Sequence, residues 1–431
     1  MTAPSPRERA PAVDELVDEL DQMLNDDDRR RTALYPGDAG SRQPVHTVYV
    51  PADRFDAATP GVWGAQALEL LERFAPDSET LADLTGLTAA DVAGVRGRAL
   101  AKLSAEPIED LRVDFEDGYG ARGDATEDAA VRQVLAELDA LASTGQRPPF
   151  FGVRFKSLEA PTRRRGVATL AAVVAGVAVD GSLPPGFVVT LPKVTSVDQV
   201  RAMVHTCSRL ESQLGLPAAS LRFEIQVETA QAVLAADGTA AVAPMVHAAA
   251  GRCTGLHYGT FDYSAGLGIA AAHQSLEHPA ADHAKSVMQV AAAQTGVRLS
   301  DGSTNVVGFG DVDQARHTWR LHTRLVTRAL KRGFYQGWDM HPGHLPTRYL
   351  ATYAFFRAAM PGAAARLRAY VDAAGGQGRA GVLDEPATAK ALATALLRGL
   401  RCGAVDEDEV AAGTGLGVQA LVRLAATGAP S

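Results

Sequence analysis

The most constraining feature of this chain is an alternation that begins at residue 46 and continues to residue 340. Short apolar runs rich in β-branched and aromatic residues, at 46–53, 111–115, 151–155, 187–191, 221–227, 255–258, 297–299 and 338–340, are separated by alanine-rich stretches with helical spacing. Runs this short suit strands, and strand–helix alternation points to a parallel sheet, because each crossover between parallel strands needs a helix-sized connection. Eight runs suit a closed (β/α)₈ barrel, a TIM barrel. A doubly wound sheet fits less well, since no glycine-rich phosphate fingerprint follows an early strand. The stretch 60–108 is helical in pattern, with Thr85 and Thr88 as turn or cap residues.

Three regions follow from this pattern. Residues 1–45 form a polar, charge-rich extension with helical spacing from Val13 to Leu24, and the run Asp26-Asp27-Asp28-Arg29-Arg30-Arg31 reads as a solvated helix end. Residues 46–362 make the barrel. Residues 363–431 lack strand signals and read as a C-terminal helical appendage, broken at Gly375-Gly376-Gln-Gly378. Its stretch from Val410 to Leu424 has the outline of a small helix-turn-helix without a basic recognition face, so packing is its expected role.

Bulk chemistry narrows the class. A formal net charge of −8 argues against nucleic acid as the main partner. Cys207, Cys253 and Cys402 are odd in number and far apart, which fits reduced thiols rather than a disulfide framework or a zinc site. No secretory h-region opens the chain, and the apolar stretch at 170–179 is too short to span a bilayer. The expectation is a soluble cytoplasmic protein with no membrane partner.

Nearly every run ends in a charged or special residue: Asp114, Glu116 and Asp117, then Arg154, Pro192-Lys193, Glu228, Asp262, Asp301 and His341-Pro342. In a barrel those ends form one face, where active sites are built. Glu228 and Asp262 close neighbouring runs, and two carboxylates held together need a cation between them. Hard oxygen ligands favour Mg²⁺, with Mn²⁺ as the alternative; zinc fits less well without Cys or His beside them. The competing reading is that Glu228 caps a helix at Thr229 and Asp262 pairs with an arginine, and spacing alone does not choose. Arg154 is suited to bidentate capture of a carboxylate, or to an ion pair with Glu116 or Asp117. Asp114, Glu116 and Asp117 are expected to support Arg154 or metal-bound water rather than to react. His273, His278 and His283 recur every five residues, which does not align them on one helix face, so solvated histidines are expected. Arg163-Arg164-Arg165 reads as a solvated patch.

The ordered set Thr47-Val-Tyr-Val-Pro-Ala-Asp53, Val113-Asp-Phe-Glu-Asp117, Val153-Arg154, Leu191-Pro-Lys193, Val227-Glu-Thr-Ala230, Gly259-Thr-Phe-Asp262 and Gly333-Phe-Tyr-Gln-Gly-Trp-Asp-Met-His-Pro342 resembles the HpcH/HpaI aldolase and citrate lyase β-subunit family, which includes malyl-CoA lyases. The resemblance spans residues 46–400. It implies a barrel of the phosphoenolpyruvate/pyruvate type, assembled as a homo-oligomer, a trimer or hexamer. It also implies Glu228 and Asp262 as Mg²⁺ ligands and Arg154 as the substrate-carboxylate arginine. A helical segment closing over the site carries an acid–base aspartate in such proteins; Gly381-Val-Leu-Asp384-Glu-Pro386 resembles it, making Asp384 the candidate. Gly118 stands where the family has alanine, and Phe155-Lys156 follow Arg154 where it has a small residue and asparagine.

The expected function is metal-dependent cleavage or formation of a carbon–carbon bond. The substrate would be a 2-oxo acid or a 3-hydroxyacyl compound of the malyl, citramalyl or citryl type, with coenzyme A as an open part of it. Arg154 and Lys193 would contact substrate, Lys193 more as a salt-bridge residue. The alternatives are an aldolase using free pyruvate and an aldehyde, and a non-catalytic dicarboxylate-binding subunit.

Overall fold

The computed structural model describes residues 13–38, 40–374 and 385–429. Eight strands form in the expected places: β1 (His46–Pro51), β2 (Asp110–Asp114), β3 (Phe150–Arg154), β4 (Val189–Leu191), β5 (Phe223–Val227), β6 (Cys253–Tyr258), β7 (Arg298–Ser300) and β8 (Gly337–Asp339). They run parallel in the order β7-β6-β5-β4-β3-β2-β1-β8, and a bridge from Ser300 to Gln336 joins the outer pair. The sheet therefore closes into a (β/α)₈ barrel.

A parallel barrel strand covered on both faces usually reads as a continuous apolar run. Here the strands alternate. In β2, Leu111 and Val113 belong to the core beneath the helices. Asp110, Arg112 and Asp114 turn toward the barrel axis, where they meet Thr190, Glu224 and Arg154. The parallel register sets Asp114 opposite Arg154, and Arg154 opposite Thr190. Ionisable side chains thus occupy the axis from the base of the barrel to its mouth.

The stretch 60–108 folds into three helices, Thr59–Phe74, Ser78–Thr85 and Ala89–Ala105. Thr88 caps the third by accepting from the amide of Asp91, and Thr85 ends the second, followed by Gly86 with a φ of 74°. After β8 the helix Leu345–Ala374 runs for 30 residues. Its first part gives Leu345, Tyr349, Tyr353 and Phe356 to the barrel core. Beyond Pro361 it gives Ala363 and Leu367 to a second core with Leu396, Leu397, Val410, Leu421 and Leu424. The helices Pro386–Arg401, Glu407–Thr414 and Val418–Thr427 complete this appendage. Among the described residues no single helix is long and apolar enough to cross a membrane. The N-terminal helix Val13–Leu34 buries no residue, and Arg31 pairs with Asp28 along it at 2.9 Å. All three cysteines are free and buried.

Candidate active site

The mouth is organised around a buried ion pair. Arg154, at the end of β3, donates through Nε to Asp114 Oδ1 at 2.7 Å and through Nη2 to Oδ2 at 2.6 Å. The same carboxylate accepts the amides of Glu116 at 2.9 Å and Gly118 at 2.8 Å, so every lone pair facing the turn is engaged. Gly118 permits this closeness: a Cβ there would lie 2.5 Å from Asp114 Oδ2, so an alanine would have to shift the carboxylate. Asp114 fixes two sides of the guanidinium and leaves Nη1 aimed at Gln226 Oε1, 3.4 Å away, and Glu116 Oε2, 3.5 Å away. Tyr49 and Trp338 flank it, their ring centres 5.0 and 5.4 Å from the guanidinium carbon. Three buried polar atoms on these neighbours, Gln226 Nε2, Tyr49 Oη and Trp338 Nε1, have no hydrogen-bond partner among the described residues. Buried donors of this kind are normally satisfied.

Beside this pair lies the carboxylate cluster. Glu228 follows β5 and is buried; its Oε1 accepts the amide of Lys193 at 2.8 Å. Asp262 sits in the first turn of the short helix Thr260–Gly266 that follows β6, with nearly half its side chain exposed. Lys193 has a φ of 50°, in the left-handed region that costs a non-glycine residue about 1–2 kcal/mol. That backbone aims both its amide and its ammonium at the cluster. Nζ lies 3.2 Å from Glu116, 2.7 Å from Asp117 and 3.1 Å from Asp262. Neither competing pairing forms: Thr229, not Glu228, caps the next helix, and Asp262 pairs with Lys193.

The electrostatics are unbalanced. Among the described residues, five carboxylates (Asp114, Glu116, Asp117, Glu228 and Asp262) face two cations, Arg154 and Lys193. Burial pushes Glu228 up to about 7 against the pull of Arg154, with Asp262 and Glu116 adding to the rise. Burial and the neighbouring Asp117 likewise push Glu116 up to about 7. Asp117, despite burial, is held below the usual carboxylate range by the Lys193 ammonium. A set of hard oxygen donors with surplus negative charge fits Mg²⁺ or Mn²⁺. Gly259 keeps the space beside Glu228 clear, because a Cβ at 259 would lie 2.5 Å from Glu228 Oε2.

A different trio, His322, Asp339 and His344, brings its ligand atoms within 4.8 Å of one another; His322 and Asp339 are engaged by other groups, and His344 bonds the Val306 carbonyl through Nε2 while its Nδ1 has no partner among the described residues. The two imidazoles stack at 4.4 Å instead of converging. Asp339 is held by His46, His322 and Arg348, and His322 Nδ1 by Thr347. Burial lowers His344 to about 3 and His341 to about 4, so both are neutral members of a structural network.

Asp384 and the glycine-rich break lie outside the described residues. His278 caps the helix Pro279–Ala292 through Nδ1, and His273 and His283 are exposed. Arg165 departs from the expected solvated patch: it is mostly buried and pairs with Asp128 at 2.7 Å and Glu127 at 3.4 Å. Asp301 is buried against Lys285 at 3.1 Å. Tyr49, Gln226 and Trp338 are the mouth residues that the sequence does not single out. Their only signal is strand parity, which places them on the same side as Arg154.

Solved structures share this fold. A citrate lyase of Burkholderia xenovorans LB400 aligns with a TM-score of 0.56 at 19% identity, over 73% of this chain and 91% of that one. A malate synthase of Haloferax volcanii in a lead(II) complex gives 0.48 at 16% over 72% of each chain. An HpcH/HpaI aldolase of Desulfitobacterium hafniense DCB-2 gives 0.39 at 15% over 72% of this chain and 90% of that one. At these identities the likeness is one of fold, carried by the first. No curated protein matches the chain. A family model described as "Domain of unknown function (DUF6986)" spans residues 24–428, and the chain belongs to that family.

Proposed function

We propose that this protein is a metal-dependent carbon–carbon lyase or aldolase acting on a 2-oxo acid or a malyl-, citramalyl- or citryl-type substrate. The observation that carries this reading is the adjacency at one mouth of two complementary features. One is a clamped arginine whose Nη1 edge makes only long contacts, 3.4 Å to Gln226 and 3.5 Å to Glu116, amid unpartnered donors; the other is a carboxylate cluster with uncompensated charge. The first fits the carboxylate of a small acid, and the second fits the cation that would chelate it. The Burkholderia xenovorans protein that shares the fold is named a citrate lyase, which supports the same class.

Glu228 and Asp262 would hold the cation, with Glu116 and Asp117 within reach of its water. A divalent ion bound there supplies polarisation of a carbonyl and neutralisation of charge on oxygen. Arg154 binds the substrate carboxylate and, fixed by Asp114, sets its orientation at little entropic cost. Tyr49 and Trp338 wall the site and exclude water from the reacting carbon. Lys193, positioned by its left-handed backbone, balances part of the charge while the cluster is ionised. Asp384 would hold or deliver the proton at the substrate carbon that becomes the enolate. A coenzyme A thioester is the finer form of this reading, with free pyruvate plus an aldehyde as the alternative.

The test is isothermal titration of metal-stripped protein with Mg²⁺, with and without pyruvate, glyoxylate or oxaloacetate, repeated on Glu228→Ala and Asp262→Ala. We expect oxo-acid binding that requires the metal and is lost in both variants. Metal-independent binding, or binding that survives both substitutions, overturns the assignment.

A further inference from the structure

We propose a second ligand site at the opposite end of the barrel, for a small phosphate-bearing anion, between the N-terminal segment, β7 and the helix Pro386–Arg401. A cavity of about 330 Å³ there is lined by Asp38, Arg298, Tyr335, Lys390, Arg398 and Arg401, among others. That volume lies within the range of small-molecule sites. Four cations face it, and Asp38 is the single carboxylate among its described lining residues.

The cations are poorly matched by the protein. Asp38 lies 3.6 Å from Arg398, whose guanidinium also covers the Tyr335 ring at 4.0 Å. Arg298 donates to Ser41 Oγ at 2.6 Å and lies over Phe150. Glu224 and Asp110 also act on Arg298 from within the barrel, but both are already bound to Arg112. Arg401 and Lys390 make no hydrogen bond or ion pair among the described residues. Burial pulls the Arg298 and Arg401 guanidiniums below their ordinary value; Asp38 opposes this at both, and the neighbouring Arg398 adds to it. Four clustered cations sharing one lining carboxylate, three of them partly buried, are costly, and an anion lowers the cost.

Phosphate suits the cluster better than a single carboxylate. It places two or more charges and three acceptor oxygens in one compact group, which planar guanidinium forks engage in pairs. A second cavity of about 810 Å³ shares Asp38, Ser41 and Arg298 with the first and has Phe150 and Phe187 in its wall, giving room for the organic part of a phosphorylated metabolite. A ligand here would bridge three segments, tying the C-terminal helices to the barrel base. This inference is independent of the chemistry at the mouth.

The test uses the full chain in EDTA, with pyrophosphate, inorganic phosphate and citrate as probes, followed by calorimetry and thermal melting against sodium chloride at matched ionic strength. We expect pyrophosphate to bind and raise Tm, citrate to bind more weakly, and Arg401→Ala to weaken pyrophosphate by about 10- to 100-fold, the size of lost hydrogen bonds to a charged group. The unliganded Tm of that variant should be unchanged or higher, since an unpaired charge is removed. Pyrophosphate binding should survive Glu228→Ala, which separates this site from the mouth. The proposal is overturned if pyrophosphate does no more than matched chloride, if Arg401→Ala binds it as well as the parent, or if citrate binds more tightly.

Discussion

Both ends of the barrel axis are charged, yet only one is balanced. At the base Arg112 pairs with Asp110 and, at 3.0 Å, with Glu224, and His257 lies 3.2 Å from Glu224. Thr47 donates to Asp110 at 2.9 Å, and Gln336 donates to Thr47 at 2.9 Å. Every carboxylate there has a cation and a neutral donor, Thr47 for Asp110 and Thr190 for Glu224, and Asp110, Arg112 and Glu224 also line the cavity of about 810 Å³ at the base. At the mouth five carboxylates meet two cations, and polar atoms beside Arg154 lack partners. The same residue types at matching positions of the strands thus make a structural layer at one end and a site at the other. What separates them is charge compensation: His257 Nδ1 at the base lacks a hydrogen-bond partner among the described residues, but each carboxylate there has its cation.

Substitution at the two ends should therefore give opposite results. Arg112→Met strands two buried carboxylates and should cost about 3–5 kcal/mol of stability by denaturant unfolding, the usual result of breaking a buried pair. Any variant that folds should keep metal-linked oxo-acid binding. Glu228→Gln should do the reverse, losing that binding by about 100-fold or more while stability holds or rises, because a buried, repelled carboxylate is removed. If Arg112→Met is mild, the base is not the charge-balanced layer described.

The pH response is next in size. Glu116 and Glu228 have folded values of about 7 against an ordinary value near 4.5. Between these limits the folded chain holds protons that the unfolded chain has released. Metal-free protein should thus lose stability as pH rises from 4.5 to 7, by roughly a few kcal/mol in all. His341 and His344, with folded values of about 4 and 3, act in the opposite sense. Their stabilisation is complete above the ordinary histidine value of 6.5 and is lost as pH falls below it. Urea melts in EDTA and in Mg²⁺ separate the two, because the metal should flatten only the rise in cost toward neutrality. An identical profile with and without Mg²⁺ would remove the cation from the cluster.

The smallest effect should come from Asp114→Asn. Losing the charge that clamps Arg154 should weaken oxo-acid binding by about tenfold with little change in metal affinity, because one charge-assisted bidentate contact is reduced to a neutral one. Equal losses of both would place Asp114 in the metal shell instead.

Eight strands are legible in the sequence because the residues facing the helices, such as Leu111, Val113 and Ile225, form compact apolar runs. Glu228, Asp262, Arg154 and Lys193 are legible because they stand at strand ends, and the structure brings them to one mouth. The partner of Arg154 is legible in part. The sequence offers Glu116 or Asp117 as its ion pair and Asp114 as a support; Glu116 does lie 3.5 Å from Nη1, but strand register makes Asp114 the bidentate partner. Arg112, Glu224 and His257 escape notice because a charged residue inside a short strand reads as a solvent-facing position until the sheet closes around it. Tyr49, Gln226 and Trp338 are hidden for the same reason.

The helix Leu345–Ala374 crosses from one hydrophobic core into the other without a break. It behaves as a shared rod, so the appendage is not a module that can be clipped away at residue 362. A cut there would end the rod inside its own hydrogen-bond ladder and expose Leu367's partners together with the face that carries Phe356. The two cores are consequently expected to melt together, as a single transition in thermal unfolding of the full chain.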